Sequence, residues 1–84
     1  MMKFTAILQY EVPGNKTRSH ILASGKSFLS ALNICSADAN AFHSHNASLM
    51  KDVRNSSRTE STYKVLVDGI EEPTEWYVIR EEAE

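Results

Sequence analysis

SFLSALNICSADANAF, residues 27–42, sets the arrangement of the whole chain. Apolar side chains recur in it every three or four residues, which is the spacing of one face of an α-helix. They are Phe28, Ala31, Leu32, Cys35, Ala39 and Phe42. Ser27 comes directly before the first of them and is a good N-cap, because its hydroxyl can accept from a free amide of the first turn. The stretch predicts an amphipathic helix that covers one face of a sheet.

Two strands are expected before this helix. From Lys3 to Val12 the side chains alternate, and the apolar set that includes Phe4 and Leu8 points to one side. Pro13-Gly14-Asn15-Lys16 supplies a turn, because proline fixes φ while glycine and asparagine tolerate a positive φ. The chain then reverses into a second strand from Thr17 to Ala23.

The segment after the helix has two interpretations. The apolar stripe continues through Leu49 and Val53 if the helix is unbroken. One unbroken helix of about 28 residues would extend about 42 Å, which is well beyond the length of about 25 Å expected for the strands. Ser44-His45-Asn46 is a weak helix former, and Asn46 can cap a new helix. We expect two helices with a bend near Asn46, followed by a polar loop over residues 55–59.

Two further strands are expected at the C-terminal end, over Thr62–Asp68 and Glu75–Glu81, because apolar residues alternate in both. Either Asp68-Gly69 or residues 71–74 can form the turn between them. Pro73 cannot donate to a β-ladder, which favours a turn at 71–74 with Gly69 as a bulge.

These elements predict a single α+β domain over residues 1–84. Its sheet has four mostly antiparallel strands in the order β-β-α(α)-β-β, with one or two helices on one face. A chain of 84 residues buries only about 60–65% of its unfolded surface, which is too little for two separate cores.

Composition limits the class of protein. The hydrophobic fraction of 42% and the charged fraction of 24% are ordinary for a globular domain and exclude a disordered tail. Cys35 is the one cysteine, so no intramolecular disulfide can form. We find no apolar run long enough for a signal peptide or a membrane span, and we expect a cytoplasmic protein.

His43-Ser44-His45, with Cys35 and Asp38 upstream, is the best candidate for a metal site. On a helix the two histidines lie about 200° apart and cannot chelate one ion together. No serine occupies a glycine-flanked nucleophile turn, and Cys35 has a core position where a thiol is inert. We expect no metal, no cofactor and no catalytic residue. A small enzyme or metal protein built on His43 and His45 is the third hypothesis for function.

Basic residues form two groups that are candidates for contact with an anionic partner. They are Lys16, Arg18 and Lys26 around the first hairpin, and Lys51, Arg54 and Arg58 at helical spacing in the second helical segment. Segments 16–26 and 51–58 therefore form a candidate nucleic-acid surface. The net charge of −2 and the lack of interleaved aromatic residues make this the alternative hypothesis.

The sheet face that the helix does not cover gives the strongest binding signal. If Trp76 and Val78 face the helix, four apolar residues are left on the other face. They are Ile7, Leu66, Tyr77 and Ile79. Contiguous exposed apolar groups mark interfaces, so these four are the predicted partner-binding residues and Trp76 is predicted in the core. The alternative is that they lie far apart or are covered by a loop.

Charge is divided along the chain. Residues 1–58 carry seven basic and three acidic side chains, whereas residues 59–84 carry two and eight. Such polarity favours oriented association with a charged partner or with a second copy of the chain.

A short acidic α+β domain with divided charge and no catalytic set resembles, in format, the small accessory proteins that phages and mobile elements encode to block host machinery, anti-CRISPR proteins among them. The resemblance covers no motif and carries over no residue. We expect a non-enzymatic protein-binding module, an inhibitor in this format, that also self-associates as a homodimer.

Overall fold

In residues 2–83, which the computed structural model describes, five antiparallel strands form one sheet and a single α-helix covers one of its faces. The elements are β1 (Phe4–Val12), β2 (Lys16–Lys26), α1 (Phe28–Phe42), β3 (Ala47–Lys51), a 3₁₀ turn (Val53–Asn55), β4 (Glu60–Val67) and β5 (Ile70–Glu81). The predicted α+β class, with the helix on one face, is confirmed, but the predicted count of four strands is wrong. No helix in this part of the chain has the length and apolar character needed to cross a membrane.

The strands lie in the order β2-β1-β5-β4-β3, so the first and last strands of the chain pair at the centre of the sheet. Leu8 of β1 lies opposite Tyr77 of β5, and Ala6 lies opposite Ile79. The hairpins β1–β2 and β4–β5 extend the sheet on either side, and β3 adds one edge. Every neighbouring pair is antiparallel.

Side-chain hydrogen bonds hold both ends of α1. The Ser27 hydroxyl accepts from the amide of Ser30 at 3.2 Å, as the sequence predicts for an N-cap. Near the other end, the Asn40 side chain donates to the carbonyl of Ser36 at 2.9 Å and accepts from the amide of Ala47 at 3.0 Å. Asn40 therefore ties the end of the helix to the start of β3.

The second helix predicted after Asn46 is wrong, because residues 47–51 form β3. Ser44 and His45 have φ values of 57° and 68°, a left-handed conformation that ends α1 and redirects the chain. In β3, Ala47 and Leu49 are half-buried while Ser48 and Met50 are exposed. This short segment thus also satisfies the two-residue period of a strand, and it pairs with the edge of β4.

The turn predicted at residues 71–74 is also wrong. Asp68 and Gly69 have φ values of 53° and 80°, both positive as a type I′ hairpin turn requires. Pro73 instead lies in a bulge of β5, where the pairing moves from Lys64 opposite Trp76 to Val65 opposite Glu72. A bulge accommodates proline because its residues do not donate to the ladder.

The core lies between α1 and the sheet. Ala31, Cys35 and Ala39, one turn apart, have no exposed surface. Their small side chains let the helix approach the strands closely. The sheet contributes Ala6, Tyr63, Val65, Tyr77 and Ile79 to the same cluster. Phe42, predicted on this stripe, is 78% exposed.

The side of β5 that faces the helix is the opposite of the side predicted. Tyr77 and Ile79 are each 1% exposed in the core, so their assignment to the uncovered face was wrong, as was that of Trp76 to the core. Residues 76–79 are all apolar, so β5 has no alternation of its own, and pairing with β1 decides its orientation. Arg80 lies on the same side of β5 as Trp76. Its charge was the signal in the sequence that this side faces away from the core.

Candidate functional site

The uncovered sheet face holds a cleft, which we call the sheet-face cleft. Its floor is a row of paired residues across three strands, Gln9, Trp76 and Lys64. One wall is the segment between β3 and β4. That segment is held over β4 because Thr62 donates from its hydroxyl to the carbonyl of Asn55 at 2.7 Å and from its amide to the Ser56 hydroxyl at 3.0 Å. The start of β5 forms the other wall, and the cleft has a volume of about 440 Å³.

Carboxylates dominate the lining of the sheet-face cleft. They are Asp52, Glu60, Glu71 and Glu72, with Glu75 at its border, and the one basic side chain of the lining is Lys64. The Lys64 ammonium lies 3.3 Å from Glu71. Arg80, beside the cleft, donates to Glu60 at 2.6 Å. Two cations thus offset only part of the negative charge.

Trp76 is half-buried at the floor of this cleft. Its indole Nε1 donates to Oε1 of Gln9 at 2.7 Å, which fixes the plane of the ring between two strands. A side-chain hydrogen bond from Asn55 is the main cause that lowers the pKa of Asp52 at the wall. The cleft therefore combines the Asp52 carboxylate, held in its charged form by Asn55, with an oriented aromatic ring.

The apolar patch predicted on this face does not form as a set of four residues. Ile7 and Leu66 lie on the uncovered face, but Ile7 is only 3% exposed and Leu66 is half-buried. Tyr77 and Ile79 lie under the helix. Ile21 and Met50 are the large apolar residues exposed on this face among those described, and they belong to opposite edge strands.

The two predicted basic groups lie at opposite edges of the sheet. Lys16, Arg18 and Lys26 are exposed along β2, at one edge. Lys51 ends β3 at the other edge, Arg54 is in the 3₁₀ turn, and Arg58 is in the loop before β4. The helical spacing predicted for the second group is wrong, because that segment is not helical. The sheet does not join the two groups into one surface.

A second cleft, the helix-side cleft, lies on the other face at the C-terminal end of α1. It has a volume of about 450 Å³, and its lining includes Leu8, Tyr10, Asp38, Phe42 and Tyr77. The Tyr77 hydroxyl donates to Oδ2 of Asp38 at 2.7 Å. Burial raises the pKa of Tyr77 well above its ordinary value, and the hydrogen bond to Asp38 adds to this. Tyr77 is therefore a neutral donor here.

His43 does not join His45 in a metal site. Its Nε2 lies 2.5 Å from Oε1 of Glu75 at the border of the helix-side cleft, whereas His45 is exposed. Within residues 2–83, no three His, Cys, Asp or Glu side chains are grouped so that they could hold a metal ion. Burial raises the pKa of Cys35 from 9.0 to about 12, with the charge of Asp38 as a second cause, so this thiol is a poor nucleophile.

The sheet-face cleft was not predicted from the sequence. The available signal was the acidic run Glu71-Glu72-Pro73-Thr74-Glu75 directly before Trp76. Comparison with protein-family models, with curated proteins and with solved structures gives no match.

Proposed function

We propose that this chain is a small, non-enzymatic cytoplasmic protein-binding module whose sheet-face cleft takes a basic segment of a partner protein. One observation carries the proposal: four carboxylates and Trp76 converge on one cleft that contains a single lysine. The complementary ligand is a cation with an apolar stem, as arginine and lysine side chains are.

The chemistry of the cleft favours arginine within such a segment. A carboxylate can accept two parallel hydrogen bonds from a guanidinium, and these charge-assisted bonds are stronger than neutral ones. The face of an indole also attracts a guanidinium placed over it. Glu72 and Trp76, which line the same cleft, supply both kinds of contact.

The proposed action is inhibition by occupancy. A module that covers a basic surface of a protein complex keeps anionic ligands of that complex away from it, because both compete for the same cations. This is the role expected from the format of phage-encoded accessory proteins. It needs no catalytic group on the module.

Trp76, the only tryptophan, allows occupancy to be measured directly by fluorescence. The probe is a capped hexapeptide of alternating arginine and leucine, and its control has glutamine in place of arginine. We expect only the arginine peptide to change the Trp76 emission with saturation. The affinity should fall as NaCl is raised from about 50 to about 300 mM, since salt screens surface charge.

Glu71→Gln with Glu72→Gln should weaken peptide binding by about tenfold or more, which corresponds to about 1.4 kcal/mol. Glu11→Gln with Glu81→Gln is the matched control, because it changes net charge equally outside the sheet-face cleft. If both double variants weaken peptide binding equally, the effect comes from net charge alone and the proposal is contradicted.

A second copy of the chain is the competing occupant, since its β2 carries Lys16, Arg18 and Lys26. Sedimentation of the chain alone distinguishes another protein from a second copy as the occupant. The sequence predicts a homodimer through an apolar sheet face, but Tyr77 and Ile79 of that face lie in the core. The proposal therefore replaces that expectation with a monomer. A dimer that dissociates in salt and in the variant with Glu71→Gln and Glu72→Gln would assign the cleft to self-association and overturn the assignment to another protein.

A further inference from the structure

We propose that the helix-side cleft is a separate binding site for a small primary amine with an apolar body. This inference does not rest on the proposed function. The helix-side cleft is on the opposite face of the sheet from Trp76 and is formed where α1 ends above β1 and β5.

Size and apolar lining favour a small organic ligand. The volume of about 450 Å³ lies within the range of about 300–1,000 Å³ that is common for small-molecule sites. Leu8 and Tyr10 come from β1, and Phe42 is the last residue of α1. Phe42 is 78% exposed, and its ring stands edge-on to His43 with the centroids 4.8 Å apart. An apolar ligand body would cover surface that the fold leaves in water.

Charge in the cleft selects a cation. The lining includes the carboxylate residues Asp38 and Glu75 on the helix side of the sheet, and His20 is its only basic residue. The cleft also adjoins the C-terminal end of α1, where the helix dipole is negative. An anionic ligand would be repelled, and a neutral one would gain nothing from these groups.

Hydrogen bonds within the protein orient both of these carboxylates. Asp38 accepts from the Tyr77 hydroxyl through Oδ2, and Glu75 contacts His43 through Oε1. Each carboxylate has a second oxygen that can accept from an ammonium group. The aromatic rings of Tyr10 and Phe42 can attract the same cation through their faces. The arrangement suits a primary ammonium joined to an apolar group.

The test titrates ¹⁵N-labelled protein with 2-phenylethylammonium, and with 2-phenylethanol as the neutral control. We expect saturable shifts of the backbone amides of Asp38, Phe42 and Thr74 with the amine, and none with the alcohol. The indole N–H of Trp76 should not move. Asp38→Asn should weaken amine binding by about tenfold or more.

Glu72→Gln in the sheet-face cleft is the matched control and should bind the amine as wild type does. Should Asp38→Asn not fold, Glu75→Gln, the other carboxylate of the same cleft, serves as the second variant. Equal binding of amine and alcohol, shifts confined to the sheet face, or full binding by a folded Asp38→Asn would each overturn the proposal.

Discussion

Tyr77 connects the sheet to the helix through one buried hydroxyl. The residue is 1% exposed, and its hydroxyl donates to Asp38 at 2.7 Å. Removing the hydroxyl leaves a partly buried carboxylate without this donor. We therefore expect Tyr77→Phe to lower the free energy of unfolding by about 1–3 kcal/mol. Urea denaturation measures this loss.

Tyr10→Phe is the matched control, because Tyr10 is a half-buried tyrosine of the same cleft. We expect this variant to change the free energy of unfolding by less than about 0.5 kcal/mol. If the two variants lose equal free energy of unfolding, the hydrogen bond from Tyr77 to Asp38 is not the source of the lost stability.

The sequence predicted the positions of some single residues in the fold but not of others. Cys35 could be placed in the core, because Ala31 and Ala39 flank it by one helical turn on each side. The bond from Tyr77 to Asp38 could not be predicted, since it requires Tyr77 to face the helix. That orientation depends on pairing with β1 and is not encoded in β5 alone.

Strands were predictable where polar and apolar residues alternate. β1 alternates and was placed correctly. The segment that forms β3 fits both a helical and a two-residue period, and only the left-handed residues Ser44 and His45 exclude the helix. Backbone conformation of this kind leaves no periodic trace in the sequence.

The β4–β5 turn gives a direct test at the level of elements. Gly69 has a φ of 80° and open space around its Cα, so an added Cβ meets no atom but strains the backbone. We expect Gly69→Ala to destabilise the fold by about 1–2 kcal/mol. Thermal or urea unfolding measures the change.

Thr74→Ala provides the control for the turn, because Thr74 is exposed and belongs to the turn predicted from the sequence. It should leave stability within about 0.5 kcal/mol of wild type. A larger loss from Thr74→Ala than from Gly69→Ala would place the turn at residues 71–74 after all.

Glu82 joins the end of the chain to β1 and β2. Its Oε2 accepts from the amide of Gly25 at 2.6 Å and from the Thr5 hydroxyl at 2.8 Å. These bonds, chiefly the one from Gly25, lower the pKa of Glu82 from its ordinary value of 4.5. The ionised carboxylate therefore stabilises the fold above this value, and the contribution is lost as pH falls through the lower pKa of the folded state.

Replacing Glu82 with glutamine should reduce stability at neutral pH and make stability less dependent on pH below about 4.5. Urea unfolding across the acid range measures both effects. Glu81→Gln is the neighbouring control, because neither bond involves its side chain, and it should cost less stability at neutral pH than Glu82→Gln does. An unchanged acid dependence in Glu82→Gln would contradict the role given to these bonds.

For the whole molecule, the divided charge of the sequence becomes only in part a division between surfaces. The acidic residues of β4, β5 and the preceding segment meet in the sheet-face cleft, while β2 carries its basic residues at the far edge. The second basic group, Lys51, Arg54 and Arg58, lies on the same side of the sheet as the acidic residues, in and around the segment between β3 and β4. The sequence predicts this polarity but not the cleft. The cleft requires residues 52–56 to fold back over Thr62, through hydrogen bonds between residues that no periodic pattern connects.

The most direct measurement maps the capped arginine–leucine peptide onto ¹⁵N-labelled protein by NMR. We predict that the largest shifts fall on the indole N–H of Trp76 and on the amides of Lys64 and Glu72. In the variant with Glu71→Gln and Glu72→Gln, these shifts should need about tenfold more peptide, or more, to saturate. Shifts centred on α1 or β2, or an unchanged affinity in that variant, would contradict the assignment of the sheet-face cleft as the binding site.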